Sequence, residues 1–204
     1  MIRSLRAPAS AAGPGTGITR LHCVILIVAG VSASGKTTVG ALVAGRLRWR
    51  FADADSFHPQ ANVEKMRAGE PLTDEDRVPW LAAIGHWMDD LIAIGQSGVI
   101  TCSALKRSYR DQLLAGRPAT LVFLEVSRET LLERVSSRPE HFFPEKLLMS
   151  QLATLELPSP AHEPNVHVIT AEGDAPETAA KVIAALWPYG EPDVAPGTPE
   201  PGVS

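Results

Sequence analysis

Short apolar runs alternate along this chain with segments in which apolar residues recur every three or four positions. The runs are VILIVAG at 24–30, WRFADAD at 49–55, VITCSA at 99–104, TLVFLEV at 120–126 and VHVIT at 166–170. Runs that are apolar on both faces are typical of strands in a parallel sheet covered by helices. The segments between them predict helices at 36–47, 79–94, 108–114, 128–135, 144–155 and 176–186. The pattern therefore predicts an α/β domain.

Proline and glycine mark the expected ends of several helices. Pro79 and Pro144 suit the first turn of a helix, where a backbone N–H has no partner to lose. Gly95 and Gly116 suit the position just after a helix, because glycine adopts the left-handed conformation found there. We therefore expect helices to begin at the two prolines and to stop before the two glycines.

The two ends of the chain differ in composition from the middle. The first 20 residues carry three arginines, no acidic residue and the glycine-rich stretch GPGTG. A transit peptide has a similar composition, but these glycines would interrupt its amphipathic helix. Segments rich in Pro and Gly with few apolar residues do not recover the entropy lost on ordering. We expect a disordered leader over 1–21, one domain over 22–188 and a disordered tail over 189–204.

Charge and cysteine content narrow the range of ligands and compartments. The 204 residues include 19 basic and 23 acidic side chains, a net charge of −4, which gives no overall basic field for nucleic acid. The longest apolar run falls far short of the roughly 20 residues that span a bilayer. Cys23 and Cys102 lie in apolar surroundings and do not form a disulfide framework. We expect a soluble protein of the reducing cytoplasm, without nucleic-acid or membrane partners.

The first predicted strand leads into GVSASGKT, which matches the phosphate-binding pattern G-x-x-x-x-G-K-[ST] between a strand and a helix. In such loops the backbone N–H groups and the helix N-terminus face phosphate, the lysine adds a positive charge, and the hydroxyl ligates Mg²⁺. A ligand-free glycine turn would need neither Lys36 nor Thr37. The predicted nucleotide-binding residues are Gly30, Val31, Ser32, Ala33, Ser34, Gly35, Lys36, Thr37 and, more weakly, Thr38. The loop alone leaves the reaction open.

A second polar group, DADSFHP at 53–59, follows the second strand. Its aspartates could simply cap a turn, because Asp side chains accept hydrogen bonds from nearby backbone N–H groups. However, the carboxyl ends of parallel strands share one edge of the sheet, so Asp53, Asp55 and His58 are expected to face the phosphate loop. We therefore favour a functional role over a cap alone.

Two later segments supply cations at the same expected edge. In GEPLTDEDRVPW, Arg77 stands among three acidic residues. The acids are explained by a helix start, where negative charge is favourable, but this alternative explains the arginine less well. In VITCSALKRSYRD, Lys106, Arg107 and Arg110 follow small residues at a strand end, where open α/β sheets bind ligands. The alternative for this second group is a plain basic helix surface.

A third segment, LLERVSSRPEHFFPEKLLMSQ, places Arg134 and Arg138 four residues apart on one helical face and then breaks at two prolines. An arginine pair beside a short proline-bounded segment is typical of a mobile lid, here expected at about 136–146, that brings guanidinium groups onto transferring phosphates. An ordinary surface helix is the alternative.

Taken in order, GVSASGKTT, FADADSFHPQANVEKMRAGEPLTDEDRVPWL, CSALKRSYRDQL and RPEHFFPEKLLMSQLATLE resemble the gluconokinase family. These small P-loop carbohydrate kinases are related to shikimate and nucleoside monophosphate kinases, and the resemblance covers about residues 24–187. It implies a five-stranded parallel sheet of order 2-3-1-4-5 and a homodimer. It also implies Mg²⁺ and ATP-dependent phosphorylation of the 6-hydroxyl of D-gluconate.

The resemblance also implies roles for individual residues. Asp53 and Thr37 would serve Mg²⁺, and Asp55 would orient or deprotonate the acceptor hydroxyl. The expected catalytic residues are Lys36, Asp55, Arg134 and Arg138, the last two also binding ATP phosphates. The expected substrate-binding residues are Asp55, His58, Lys65, Arg77, Lys106, Arg107 and Gln151.

The sequence departs from the family pattern at two positions and leaves two competing functions. Ala33 stands where the loop often has Gly, which we expect to be tolerated only if its φ is negative. Ser56 stands where a third Asp is common. Another small-molecule kinase would share the loop, aspartates and lid but differ at His58, Arg77 and Lys106. A nucleotide-dependent switch would need a guanine-recognition motif, N-K-x-D, which the sequence lacks.

Overall fold

The computed structural model describes residues 23–137 and 145–186. Five strands in these ranges form one sheet in which every neighbouring pair is parallel. They are β1 Ile25–Ala29, β2 Arg50–Asp53, β3 Gly98–Cys102, β4 Ala119–Glu125 and β5 Val166–Thr170, arranged in the order β2-β3-β1-β4-β5. The predicted parallel sheet of order 2-3-1-4-5 is therefore confirmed.

Seven α-helices in the described ranges flank the sheet. They are α1 Lys36–Leu47, α2 Gln60–Arg67, α3 Asp74–Ala93, α4 Arg107–Leu114, α5 Arg128–Ser136, α6 Glu145–Thr154 and α7 Ala175–Leu186, with a short 3₁₀ helix at Ala54–Phe57. No described helix combines the length with the apolar character that crossing a bilayer requires. The sequence pattern missed α2, because this helix is mostly polar and its one buried residue is Asn62.

Helix α3 begins at Asp74, so the prediction that it opens at Pro79 was wrong. A reciprocal capping box fixes the earlier start: the Thr73 hydroxyl accepts from the N–H of Asp76, and the Asp76 carboxylate accepts from the N–H of Thr73. Pro79 lies in the second turn and removes one hydrogen bond without ending the helix. This start places Arg77 on the first turn of α3 rather than in the preceding loop.

The other predicted helix ends are partly described. Gly95 and Gly116 each lie two residues beyond the last residue of α3 and α4, with φ values of 67° and 71°, as expected for glycines that stop a helix. Pro144 lies outside the described residues. Helix α6 is assigned from Glu145 onward.

The core has two layers because β1 is buried on both faces. Ile25 and Ile27 pack toward α3, against residues that include Ile84 and Met88. The alternate residues of β1 pack on the other face against α1 and α7. Each fully buried aliphatic side chain contributes about 1.5–3 kcal/mol, so the sheet is a rigid platform. The loops that follow β1, β2 and β3 all emerge at its carboxyl edge, where the predicted site residues meet.

Candidate active site

The phosphate loop runs from Gly30 to Gly35, between β1 and α1. These two glycines have φ values of 147° and 93°, which side chains rarely adopt. A Cβ atom on Gly30 would lie only 2.8 Å from the hydroxyl oxygen of Ser34. Lys36 Nζ folds back over the loop and donates to the carbonyl oxygen of Val31 at 3.3 Å. The sequence thus closes a tight backbone turn with a cation beside it.

Ala33 adopts a φ of 64°, so the expectation of a negative φ at this position was wrong. A Cβ in the left-handed region costs roughly 1–2 kcal/mol, and the surrounding contacts must hold it there. Arg134 supplies such contacts from α5, because its Nη1 lies 3.4 Å from the carbonyl oxygens of both Ala33 and Ser34. Its Nη2 donates to the carbonyl oxygen of Ala171 at 3.1 Å. Arg134 therefore lies against the phosphate loop.

Asp53 connects the end of β2 to the first turn of α1. Its Oδ2 accepts from the hydroxyl of Thr37 at 2.7 Å, and its Oδ1 accepts from the N–H of Asp55 at 3.1 Å. The second bond caps the 3₁₀ helix, so the capping role considered for this aspartate is real and coexists with contact to α1. A carboxylate and a hydroxyl held together beside Lys36 are the hard oxygen donors that Mg²⁺ prefers. These residues fit a nucleotide-bound Mg²⁺.

A cavity adjoins the phosphate loop, with an empty volume of about 680 Å³ that includes space open to solvent. The predicted site residues on its wall are Ser32, Lys36, Asp55, His58, Arg77 and Gln151. It lies beside the phosphate loop, at the carboxyl edge of the sheet. The fold thus brings together residues that are more than a hundred positions apart in the chain.

His58 forms part of this wall as a stacked, half-buried ring. Its centroid lies 4.5 Å from that of Trp80, with the ring planes 7° apart. Trp80 is itself fixed, because its indole N–H donates to the carbonyl oxygen of Ala54 at 2.7 Å. Burial lowers the pKa of His58, and Arg77 lowers it further, while Asp55 acts in the opposite direction. The imidazole is therefore neutral near neutral pH.

Arg77 presents its guanidinium group to the cavity. Nη1 donates to the carbonyl oxygens of Leu72 and Thr73, at 2.5 and 3.1 Å, and Cζ lies 5.8 Å from the ring centroid of Tyr109. Across the described ranges, Arg77 forms no ion pair. Its orientation is thus fixed by two carbonyl groups and an aromatic ring.

Lys65 and Lys106 are instead neutralised by acids on the first turn of α3. Lys65 Nζ lies 2.6 and 2.8 Å from the two carboxylate oxygens of Asp76. Lys106 Nζ lies 2.8 and 2.7 Å from those of Asp74, which also accepts from the hydroxyl of Tyr109. Hydrogen bonds from the lysines lower the pKa of both aspartates. Neither lysine lies on the cavity wall.

Arg107 also lies away from the cavity. Its backbone N–H donates to the carboxylate of Glu156 at 2.7 Å, and this hydrogen bond caps the N-terminus of α4. Its guanidinium group donates to the carbonyl oxygen of His162 at 3.2 Å and lies 3.6 Å from the carboxylate of Asp111. The structure therefore separates Arg107 from the residues that line the cavity.

Arg110 is a buried structural residue, so the expectation that it supplies a cation to the ligand site was wrong, and so was the alternative of an exposed basic helix surface. Its side chain is only 1% exposed and forms two hydrogen bonds with Glu163, at 2.7 and 3.0 Å. Its Nη1 donates to the carbonyl oxygens of Ala104, Leu105 and Glu156. Arg110 thus fastens the loop after β3, the loop that supplies Ser103 to the cavity wall.

Gln151 reaches the phosphate loop from α6. Its Oε1 accepts from the backbone N–H of Ser32 at 2.7 Å, so its amide nitrogen is the free end of the side chain. The contact ties the helix that follows the expected lid to the phosphate loop. Arg138 and positions 138–144 of the lid expected at about 136–146 lie outside the described residues.

Sequence reasoning missed several residues that line the cavity or contact His58. They are Asn62, Glu70, Trp80 and Ser103. Trp80 and Asn62 lie on helices α3 and α2, and which way each side chain faces depends on how these two helices pack together. The small residues of the strand end were noticed, but no local signal distinguishes Ser103 from its neighbours.

The chain is similar to known kinases in sequence and in fold. The sequence profile of the shikimate kinase family matches residues 32–187. A gluconokinase from Gluconobacter oxydans (strain 621H) is 52% identical over 134 residues, which are 65% of this chain and 75% of that protein. A probable gluconokinase from Rattus norvegicus is 43% identical over 181 residues, 79% of this chain and 97% of that protein. The crystal structure of a gluconokinase from Sinorhizobium meliloti 1021 aligns with a TM-score of 0.66 at 39% identity, covering 81% of this chain and 97% of its own.

Proposed function

Because this chain belongs to the shikimate kinase family, and within it to the gluconokinases, we propose that it phosphorylates D-gluconate at the 6-hydroxyl group. ATP is the phosphoryl donor, and the products are 6-phospho-D-gluconate and ADP. The observation that carries this proposal is the cavity beside the phosphate loop, on whose wall Asp55 and Arg77 lie together with Lys36. One cleft thus offers a phosphate site, a carboxylate for the acceptor hydroxyl and a cation for a sugar acid.

The nucleotide side works mainly by charge neutralisation. Phosphoryl transfer passes through a loose transition state with negative charge spread over the transferred group, so positioning and positive charge matter most. The N–H groups of the phosphate loop cradle the β- and γ-phosphates, and Lys36 adds a full charge. Arg134, which lies against the carbonyl oxygens of Ala33 and Ser34, supplies a second cation from α5.

Thr37 and Asp53 are the residues that would hold Mg²⁺. When bound with ATP, the ion would neutralise phosphate charge and orient the transferred group. The short hydrogen bond between the two side chains brings both oxygens to the same corner of the cleft before any ligand arrives. Asp53 is in turn oriented by the N–H of Asp55.

The acceptor side binds and orients the sugar acid. Arg77 binds the carboxylate of gluconate, because a guanidinium group matches a carboxylate with two parallel hydrogen bonds. His58 contacts a hydroxyl group of the polyol, and Gln151 offers its amide nitrogen near the phosphate loop. Asp55 accepts a hydrogen bond from the 6-hydroxyl and aligns that oxygen with the γ-phosphorus.

Assembly and location are further parts of the proposal. The likeness to the gluconokinases supports a homodimer, which light scattering would distinguish from a monomer. Cys23 and Cys102 are both free thiols, which supports a reducing, cytoplasmic setting.

The function is tested by an ADP-coupled assay of the purified chain with gluconate, shikimate, glycerate and AMP as alternative acceptors. We expect ATP-dependent turnover on gluconate that exceeds turnover on every other acceptor. No turnover on gluconate together with good turnover on another acceptor would overturn the assignment. Omitting Mg²⁺ from the same assay tests the metal requirement, and we expect activity to be lost.

A further inference from the structure

Asn62 is the one buried residue of helix α2. It is 4% exposed, whereas the other residues of this helix are half-buried or exposed. A buried amide is costly unless its hydrogen bonds are satisfied, so its partners indicate what it does. Those partners lie on two different elements: the first turn of α3 and the ring of His58.

The orientation of the Asn62 amide is fixed by its stronger partner. The nitrogen Nδ2 lies 2.7 Å from the carbonyl oxygen of Asp76, an atom that only accepts hydrogen bonds. The atom facing Asp76 must therefore be the amide nitrogen and not its oxygen. The same nitrogen lies 3.5 Å from Nδ1 of His58, so a hydrogen-bond donor faces that ring nitrogen.

We propose that Asn62 is a positioning residue that holds His58 in the tautomer with its proton on Nε2, so that the ring offers a donor to the acceptor cavity. A lone pair on Nδ1 attracts the facing N–H, whereas a proton on Nδ1 would oppose it. The identity of the group that receives the Nε2 hydrogen, a gluconate oxygen, rests on the proposed function. The tautomer itself does not depend on the substrate.

The surroundings of the ring support this assignment. Stacking on Trp80 at 4.5 Å holds the plane of the ring, and the contact with Asn62 Nδ2 favours the orientation with Nδ1 on that side. Within the described residues, Nε2 has no hydrogen-bond partner. The charged groups that face the ring are Asp55 on the 3₁₀ helix and Arg77 on α3, and neither forms a hydrogen bond with it. Burial and the charge of Arg77 both disfavour a second proton on the imidazole ring. Such a proton on Nδ1 would also point at the N–H of Asn62.

Long-range ¹H–¹⁵N NMR of the full chain, without substrate and near neutral pH, tests the tautomer directly. The His58 signals are assigned by their absence in His58→Gln. We expect one tautomer, with the proton on Nε2, and a mixture of tautomers in Asn62→Ala. Gln60→Ala, on the same helix and bonded only to Glu64 among the described residues, should leave the His58 signals unchanged. A proton on Nδ1 in the wild-type protein overturns the proposal, as does an unchanged tautomer in folded Asn62→Ala.

Kinetics give a second readout that a purely structural role would not produce. We expect Asn62→Ala to raise the KM for gluconate about tenfold, the scale of one hydrogen bond, while the KM for ATP stays within about twofold. An equal loss for both substrates would indicate general damage and overturn the positioning role. If Asn62→Ala does not fold, the wild-type spectrum decides. If the tautomer is as expected but gluconate is not turned over, the proposed function fails and this inference stands.

Discussion

The two sides of the cleft are built in different ways. On the phosphate side, nine consecutive residues, 30–38, supply the loop and the first turn of α1. On the acceptor side, the wall comes from the 3₁₀ helix, α2, α3, the loop after β3, and α6. A site made from the backbone groups of one loop can be predicted from a local sequence motif. A site made from side chains of several elements depends on which of those side chains form ion pairs elsewhere in the folded structure.

The cations of the acceptor side illustrate this difference. Lys65, Arg77, Lys106 and Arg107 are equivalent candidates in the sequence, because the resemblance to the gluconokinases implies a substrate-binding role for each of them. Acids of α3 neutralise the two lysines, and Arg107 forms a hydrogen bond with the loop that follows α6. Of these four residues, Arg77 alone lies on the cavity wall. These pairings join residues 11 to 55 positions apart, which no spacing rule anticipates.

The fold was more predictable than the site for a related reason. Strands buried on both faces require continuous apolar runs, so β1, β3 and β4 are visible as strings of apolar residues. The pattern does not predict helix α2 because the apolar face of this helix is narrow. The predicted start of α3 is five residues too late because it rests on Pro79 and not on the capping box at Thr73. Ala33 shows the limit at a single residue, since its φ is set by contacts from α5 rather than by its own preference.

The largest effect is expected on the phosphate side. Lys36→Ala should lower kcat/KM about a thousandfold, because a charge aimed at the transferred phosphoryl group is lost where water cannot replace it. The coupled assay measures the loss, and circular dichroism should report an unchanged fold. Lys181→Ala, an exposed lysine on α7, is the matched control and should keep wild-type activity. Retained activity in Lys36→Ala would remove the phosphate loop from the chemistry.

Asp55→Asn tests the carboxylate that is proposed to orient the acceptor hydroxyl group toward the γ-phosphate. We expect kcat to fall about a hundredfold or more, because the acceptor hydroxyl loses a carboxylate partner in the transition state. The KM for ATP should stay within about twofold, since Asp55 lies on the acceptor wall. Asp90→Asn, an exposed acid on α3, is the control. Wild-type turnover in Asp55→Asn would exclude this carboxylate from the reaction.

The buried pair of Arg110 and Glu163 tests how the acceptor side is held. Glu163→Gln should lower the free energy of unfolding at pH 7 by about 3 kcal/mol, because the buried guanidinium loses its counter-charge. Hydrogen bonds from Arg110 lower the pKa of Glu163 from its usual 4.5. The stabilisation is therefore complete above pH 4.5 and is lost as pH falls through the lower folded pKa.

Urea unfolding at several pH values checks this pair. The difference between wild type and Glu163→Gln should narrow as the pH falls below 4.5. A difference that grows with acidification would contradict the assigned direction of the pKa shift.

The smallest expected effect is a gain in stability on the phosphate side. Ala33→Gly should raise the free energy of unfolding by about 0.5–1 kcal/mol, since glycine relieves a positive φ but adds freedom to the unfolded chain. Gly95→Ala reverses this logic at a site with the similar φ of 67° and no atom within 4 Å of the added Cβ, so it should be destabilising. Thermal unfolding compares the two. A destabilised Ala33→Gly would mean that the loop is not strained at this residue.

The KM for gluconate in Arg77→Ala, measured beside Lys106→Ala, tests most directly that Arg77 is the cation that recognises the sugar acid. The account predicts a rise of about 10- to 100-fold for Arg77→Ala, the scale of a hydrogen-bonded charge. It predicts a change below about threefold for Lys106→Ala, because that lysine forms a partly exposed pair with Asp74. A rise in Lys106→Ala that equals or exceeds the rise in Arg77→Ala would contradict it.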